Sequence, residues 1–585
     1  MPRLEGKQSN AFASLITYYP IFRKRSKGRV EYFLILSFAA SILEALGVIA
    51  LFPLLGLIGL GEKNDFQNNQ LSDFILNVFD FLNIPLSLIS ILIAFLFIIL
   101  LKNSILFLAT IIRAWMRASI SRDLKLDLFD SLTNVKMGFF YSENVGYFSS
   151  IIGIHADRYV KAFVQYVSLL GAFLSIFAYG LGAFLIDWKA TFFAIIVGGF
   201  VAVGQKFANR YSHEKSIIHA SMTNVFLQEL VQILESFKYI KATNTTSVIK
   251  KKTIEAVSGI ESLTFKLGVV NAILKCLREP ILVTGIIGYI FVWTYLFGNS
   301  LVTIFVSLLF FYRLLNSLLS FQVNLTSFIS SVGSIELING DIHRFQNSKE
   351  RSGKVNIEGL SKSIDFQNVS FKYSNSKEIS IKNASFSIPK NKITALTGAS
   401  GSGKTTLVDL MAGLIEPTSG KILIDGADLK DINLHSWRQN IGYVSQDLII
   451  FDDTIFNNVR MFGNLTLTKD EGRKRVIETL NLVGLYSSFD EASKKLDTVV
   501  GDRGAKLSGG QRQRLFLARE LYRKPNLLLV DEGTSALDAK TEKIVLKTLT
   551  QLSKSTTIVF IAHKDSSLKI ADIIYDVENG AIRQR

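Results

Sequence analysis

Six apolar runs, each near or above the roughly 20 residues that a membrane helix needs, fall before about residue 330, and none follows it. Such a chain cannot gather its apolar residues around one core. The first half must fold in lipid and the remainder by itself. Hydrophobic residues are 49% of the 585 and charged residues 19%. The mean hydropathy of +0.31 is high for a soluble enzyme of this length.

The first run spans about 31–60 and contains Glu44 and Pro53. The second spans 86–112, with helical character continuing toward Val135. The third, 162–186, and the fourth, 189–206, are split only by Asp187-Trp188-Lys189, which predicts a tight hairpin. A long polar helical stretch, 207–262, precedes the fifth run at 267–297 and the sixth at 300–322. Residues 61–84 begin polar and then place apolar residues at helical spacing from Leu71 to Leu82, which predicts an amphipathic helix on the outer membrane surface.

The net charge is +16. No stripe of basic and aromatic residues suggests nucleic acid, so none is expected as a partner. The basic run Arg23-Lys24-Arg25-Ser26-Lys27-Gly28-Arg29 just before the first span places the N-terminus in the cytoplasm by the positive-inside rule. A short interfacial helix is expected around Phe12–Phe22. Cys276 is the single cysteine, so no intrachain disulfide can form, and its apolar setting predicts a small core residue. No short apolar core with a small-residue cleavage site is seen, so no cleaved signal peptide is expected.

Beyond a linker at 326–360 the pattern changes. Short β-branched runs begin near Ser363, Lys392, Lys421, Leu527 and Thr557, and helices alternate with the later ones. That is an α/β domain with a parallel core. Gly398-Ala399-Ser400-Gly401-Ser402-Gly403-Lys404-Thr405 lies between a strand and a helical run starting at Thr406. Glycines there let backbone N–H groups converge on phosphate, and the helix N-terminus adds a favourable dipole. Lys404 supplies a charge to the β- and γ-phosphates of a nucleotide, and Thr405 a hydroxyl to Mg²⁺. Asp531 and Glu532 end the apolar strand Leu527–Val530, where acids are costly unless they hold a metal or water. Asp531 is read as an Mg²⁺ residue and Glu532 as the general base for the attacking water.

Leu507-Ser508-Gly509-Gly510-Gln511, set between that loop and those acids, resembles the signature of ATP-binding cassette (ABC) proteins. The resemblance implies ATP as cofactor and a dimer, with Ser508, Gly509, Gly510 and Gln511 touching the nucleotide held by the other subunit. It implies further roles by position. His563 would contact the γ-phosphate. Gln446 would sense Mg²⁺ and the attacking water. Tyr373 would stack on adenine, with Phe371 in the core. Ser535-Ala536-Leu537-Asp538 would cross the dimer interface. Thr498–Gly504 resembles the segment that exporters use against coupling helices. Gly533 and Lys564 depart from the usual alanine and arginine without removing a catalytic group. Because Lys404, the signature, Glu532 and His563 are all kept, a homodimer would have two competent ATP sites.

Six spans fused to one cassette resemble ABC exporter half-transporters. The implied fold is a membrane all-α domain of six transmembrane helices, 31–325, fused to a cytosolic α/β P-loop cassette, 361–585, behind a cytoplasmic segment, 1–30. Phe139–Gly146 resembles the first coupling helix, and Gln228–Ala242 the segment after the second.

Ionisable residues within spans bear on the substrate: Glu44, Lys102, Arg113, Lys275, Arg278, Glu279 and Arg313. The bland reading is that they pair internally, as Arg278 with Glu44, or lie in water beyond the bilayer. The sharper reading is a basic wall, with Lys102, Arg278 and Arg313 beside Glu44, that grips phosphate or pyrophosphate. The segments 41–54 and 277–282 and the outer helix are similar to PglK-type flippases. That likeness implies a lipid-linked, anionic oligosaccharide moved across a bacterial inner membrane. The rival is an exporter of a peptide, drug or other lipid with the same engine. A soluble cassette ATPase is excluded by the spans, and nothing in the sequence favours an ATP-gated channel.

Overall fold

A computed structural model describes residues 11–50, 80–81, 85, 87–186, 188–295, 301–373, 376, 378–460, 467–488, 495–531, 538–562 and 564–585. The chain divides into two compact units, Met1–Asn134 with Glu143–Asn347, and Val135–Ser142 with Ser348–Arg585.

The first unit is helical. In chain order its elements are α1 Ala11–Arg25, α2 Arg29–Ile49 and α3 Leu88–Thr133. The short α4, Met137–Ser142, belongs to the second unit. Then come α5 Val145–Ser150, a π-helical turn Ile151–His155, α6 Ala156–Ile186, α7 Trp188–Glu235, α8 Phe237–Ala242, α9 Thr246–Cys276, α10 Arg278–Tyr295 and α11 Leu301–Asn347. Helix α3 has 46 residues. At 1.5 Å per residue it is about 70 Å long, roughly twice a hydrocarbon core, so it extends well beyond the bilayer. Only 6% of its apolar window is buried in the protein, which fits a helix facing lipid. Among the described residues five helical runs are long and apolar enough to cross a membrane; α7, which carries the expected fourth span, is not one of them. The outer helix expected at 61–84 falls almost wholly outside the described residues.

Three expectations are corrected. Residues 326–347, expected in a linker, continue α11. Phe328, Val332, Ile335 and Ile338 recur there at helical spacing and are buried. The serines and glycines between them give the segment its loop-like composition. Helix α1 is not merely interfacial: Phe22, 1% exposed, packs its ring against Tyr159, Phe163, Tyr166 and Phe328. Cys276 is exposed at the end of α9, where the described buried residues are only Ile260 and Leu263, so its apolar neighbours in sequence do not make it core.

The second unit holds two sheets. Strands β1 Ser363–Phe371, β2 Ile381–Pro389, β4 Ser419–Ile424 and β5 Ala427–Asp428 form an antiparallel sheet ordered β2-β1-β4-β5. Strands β3 Ile393–Thr397, β6 Ile441–Val444, β7 Leu527–Val530, β8 Thr557–Ile561, β9 Ile573–Glu578 and β10 Ala581–Gln584 form the other, ordered β10-β9-β3-β8-β7-β6. All its pairings are parallel except that of edge strand β10. The helices are α12 Lys404–Met411, α13 Leu434–Gln439, α14 Ile455–Arg460, α15 Lys469–Leu482, α16 Gly509–Tyr522, α17 Ala539–Leu552 and α18 Asp565–Leu568. Residues 135–142 join this unit through the Lys136 N–H bond to Ser348 O at 2.9 Å and the Lys136–Glu416 ion pair at 3.0 Å.

The Phe22 cluster gives a test. Phe22→Ala should cost about 3–5 kcal/mol of packing, read as a lower Tm of the detergent-purified protein, while ATP binding by the cassette is unchanged.

Candidate functional site

Strand β3 is paired on both sides, by β8 and β9, and its end opens into the phosphate loop. Gly398 has φ +143°, and a Cβ there would lie 2.2 Å from Val577 O, so only glycine fits. A Cβ on Gly401 would meet nothing within 4 Å, which leaves that side of the loop open. Gly403, at φ 110°, precedes the first residue of α12, Lys404. The Lys404 side chain is buried, and its Nζ donates to Gly398 O at 3.0 Å and Ala399 O at 2.8 Å. Ser402 Oγ is buried without a hydrogen-bond partner, and Ser400 and Thr405 are exposed beside it. An orphaned hydroxyl, an open glycine and an ammonium around one helix N-terminus fit a nucleotide phosphate. Tyr373 lies at the same end of α12, its hydroxyl 3.2 Å from Thr406 Oγ1 and its ring edge-on to buried Phe371.

Strands β6 and β7 are parallel neighbours with Val444 opposite Val530. Asp531, 3% exposed, follows β7, and exposed Gln446 lies two residues past β6. The parallel sheet therefore brings the phosphate loop, Asp531 and Gln446 to one edge. Thr405, Asp531 and Gln446 make an oxygen-rich donor set suited to Mg²⁺. Glu532, His563 and Ser535–Leu537 lie outside the described residues. Asp538 caps α17, accepting from the Thr541 N–H at 3.3 Å.

The signature opens α16 with a capping box. Ser508 Oγ accepts the Gln511 N–H at 3.2 Å, and Gln511 Oε1 accepts the Ser508 N–H at 2.9 Å. Gly509, with nothing within 4 Å of a would-be Cβ, leaves the backbone at this helix start accessible. That surface suits a phosphate better than any side chain would.

Sequence reasoning missed Asp409, Tyr443, Arg519 and Glu520. Asp409 lies within Leu407-Val408-Asp409-Leu410-Met411, and an acid inside so apolar a turn was the available signal. It is 6% exposed and accepts the Tyr443 hydroxyl at 3.1 Å. Burial pushes its carboxyl up to about 6; the Tyr443 bond opposes this and the Asp531 charge adds to it. Glu520 is likewise raised, mainly by burial.

In the helical unit Glu44 gathers charges from other helices. Lys102 Nζ is 3.1 Å and Arg313 Nη1 2.7 Å from its carboxylate, and the Tyr179 hydroxyl donates to it at 2.8 Å. Among the described side chains the cations on Glu44 are Lys102 and Arg313, and the expected Arg278–Glu44 pairing falls outside them. Arg278 begins α10, and its side chain lies outside the described ones. A separate apolar cavity of about 860 Å³ lies between α7, α9, α10 and α11, lined among others by Phe193, Tyr211, Leu277, Pro280 and Gln322.

Residues 381–535 match the ABC transporter family. The chain is 29% identical over 462 residues to the heterocyst differentiation ATP-binding protein HepA of Nostoc sp., covering 78% of this chain and 75% of that protein. It is 27% identical to an ATP-dependent lipid A-core flippase of Paraburkholderia xenovorans, covering 80% and 78%. It is 28% identical to a multidrug resistance ABC transporter ATP-binding and permease protein of Lactococcus lactis, covering 81% and 80%. A bacterial Atm1-family ABC exporter solved with ATP bound superposes with TM-score 0.76 at 20% identity, over 97% of this chain and 95% of that one. The chain has the ABC exporter fold, a helical membrane domain with a C-terminal α/β nucleotide-binding domain. It hydrolyses ATP to drive transport. That half-transporter fold works as a dimer in a lipid bilayer.

Asp409 makes stability depend on pH in a stated direction. Its raised value means that the folded protein holds a proton which the unfolded chain releases, so this group's contribution falls as pH rises from about 4 to about 6. Asp409→Asn should lose that slope, seen as a smaller fall in the Tm of nucleotide-free protein between those pH values than in wild type.

Proposed function

We propose that two copies of this chain form a homodimer that flips a lipid-linked, anionic oligosaccharide across a bacterial inner membrane, with the N-terminus and the cassette in the cytoplasm. The Glu44 cluster carries this reading. Two cations face one carboxylate, so the cluster has one positive charge in surplus, and Arg313 is 43% exposed. An exposed guanidinium with a competing carboxylate behind it suits a phosphate or pyrophosphate that binds and must then be released. The apolar cavity beside α10 supplies a surface for the lipid portion. The likeness to an ATP-dependent lipid A-core flippase supports a lipid-linked substrate. The resemblance of the segments 41–54 and 277–282 to PglK-type flippases is the basis for proposing a glycan carrier.

In the engine, Lys404 and the phosphate-loop N–H groups hold the β- and γ-phosphates of ATP. Ser508, Gly509, Gly510 and Gln511 of the second copy close over the same nucleotide. Thr405, Asp531 and Gln446 would hold Mg²⁺, which when bound neutralises phosphate charge. Glu532 takes a proton from the attacking water, His563 contacts the γ-phosphate, and Tyr373 stacks on the adenine.

Two measurements test this. Glu532→Gln should slow ATP hydrolysis by about 100-fold or more while ATP-bound dimers accumulate on size exclusion; normal hydrolysis removes the assignment. A polyprenyl-pyrophosphate glycan should stimulate the ATPase of protein in liposomes, and Arg313→Ala should raise the half-stimulating concentration by about ten-fold. Stimulation by small cationic drugs and not by the glycan would favour the exporter reading instead.

A further inference from the structure

Among the described residues strand β6 is the edge of its sheet, paired with β7 alone. An edge strand carries backbone donors with no ladder partner. One of them, the Tyr443 N–H, donates to Glu520 Oε2 at 3.1 Å. Glu520 is 7% exposed and sits near the end of α16, the helix that the signature begins. The next residue back, Arg519, is 2% exposed and donates from Nη1 to Ile449 O at 2.6 Å, with further bonds to Asn458 O and Oδ1 at 2.7 and 2.8 Å. Consecutive residues of one helix therefore hold both ends of the loop that carries Gln446. On its third side the loop is fixed through the Tyr443 ring, whose hydroxyl donates to Asp409 on the phosphate-loop helix. Tyr141 of α4 stands near enough to Asp409 and Tyr443 to interact electrostatically with both.

Buried bonds of this kind are directional. A carboxylate that loses a backbone N–H partner in the interior is left undersatisfied, so the parts move together or at a cost. We infer that Asp409, Tyr443 and Glu520 are positioning residues that set Gln446 against the phosphate loop and tie its place to the signature helix. The inference rests on the reading that Gln446 senses Mg²⁺ and the attacking water. None of the three need touch nucleotide. Their arrangement lets a displacement of α16 reach the Gln446 loop through bonds rather than through loose packing, while Tyr141 of α4 acts on the same group electrostatically.

The test uses full-length protein in liposomes, with kcat, KM for ATP, Mg²⁺ titration and Tm measured in parallel. Tyr443→Phe removes only the hydroxyl, and Glu520→Ala removes the acceptor. Each should lower kcat about ten-fold and raise the Mg²⁺ needed for half-maximal rate several-fold, with KM for ATP within about two-fold of wild type. Glu520→Gln and Asp409→Asn keep an acceptor oxygen and should restore most of the rate and the Mg²⁺ curve. Tyr443→Phe combined with Asp409→Ala should cost little more than either alone, since the two form one bond. A fall in Tm with an unchanged Mg²⁺ requirement overturns the inference, because a merely structural bond would do that. Wild-type rates and Mg²⁺ curves in Tyr443→Phe and Glu520→Ala also overturn it. If Gln446→Ala itself leaves the Mg²⁺ curve unmoved, the underlying reading of Gln446 fails, and this inference with it.

Discussion

Strand β3 has hydrogen-bonded neighbours on both sides, and its parallel pairing with β8 and β9 decides where phosphate can bind. A strand held in mid-sheet cannot tilt, so the loop at its end has a fixed origin. Gly398 takes the chain past Val577 O at a distance that no side chain tolerates, and α12 then starts with its N–H groups toward the same space. Parallel order carries the argument outward. Val444 and Val530 are opposite one another, so Gln446 and Asp531 emerge at the same sheet edge without any further device. The Asp531 N–H bond to Val444 O, at 2.7 Å, locks those two exits together.

The cost of burying charge organises both units in the same way. A buried ion keeps its charge only with a partner or several hydrogen bonds. Arg519 satisfies its guanidinium with two carbonyls and an amide oxygen. Lys404 donates to carbonyls of its own loop. In the helical unit Glu44 has Lys102, Arg313 and Tyr179. These arrangements differ in what they leave over. Arg519 is enclosed and can do nothing but hold. The Glu44 group has a surplus cation with exposed surface, so it can exchange a partner. That difference separates a structural charge cluster from one able to bind a ligand.

The sequence was most legible where geometry is local. The strand starts expected at Leu527 and Thr557 are those of β7 and β8, since short β-branched or aliphatic runs between turns admit little else. The phosphate loop and the signature were likewise legible, because each needs specific residues in a specific order. Partner choice was not. Nothing in the spacing of Glu44, Lys102, Arg278 and Arg313 says which helices bring their side chains together; only the packed bundle does. Residues 326–347 were obscured for a different reason. Their apolar stripe is thin and diluted by serine and glycine, yet Phe328, Val332, Ile335 and Ile338 are all buried. Asp409 stood out only as an acid in an apolar turn, and the roles of Asp409 and Glu520 stayed illegible because a buried acid is meaningful only once its donor is known.

Helix α16 shows how one element can serve a nucleotide at one end and a loop at the other. Its 14 residues make a rod of about 21 Å. The capping box keeps the first turn closed, so Ser508 and Gln511 stiffen the very end whose backbone is left accessible. At the far end Arg519 and Glu520 hold opposite flanks of the Gln446 loop. A frayed first turn would absorb any push as local unwinding, and an apolar far end would let neighbours slide. Closed at one end and bonded at the other, the helix can only move as a body. On the roles proposed for the signature and for Gln446, a phosphate arriving at one end of this rod would be felt at the loop held by the other.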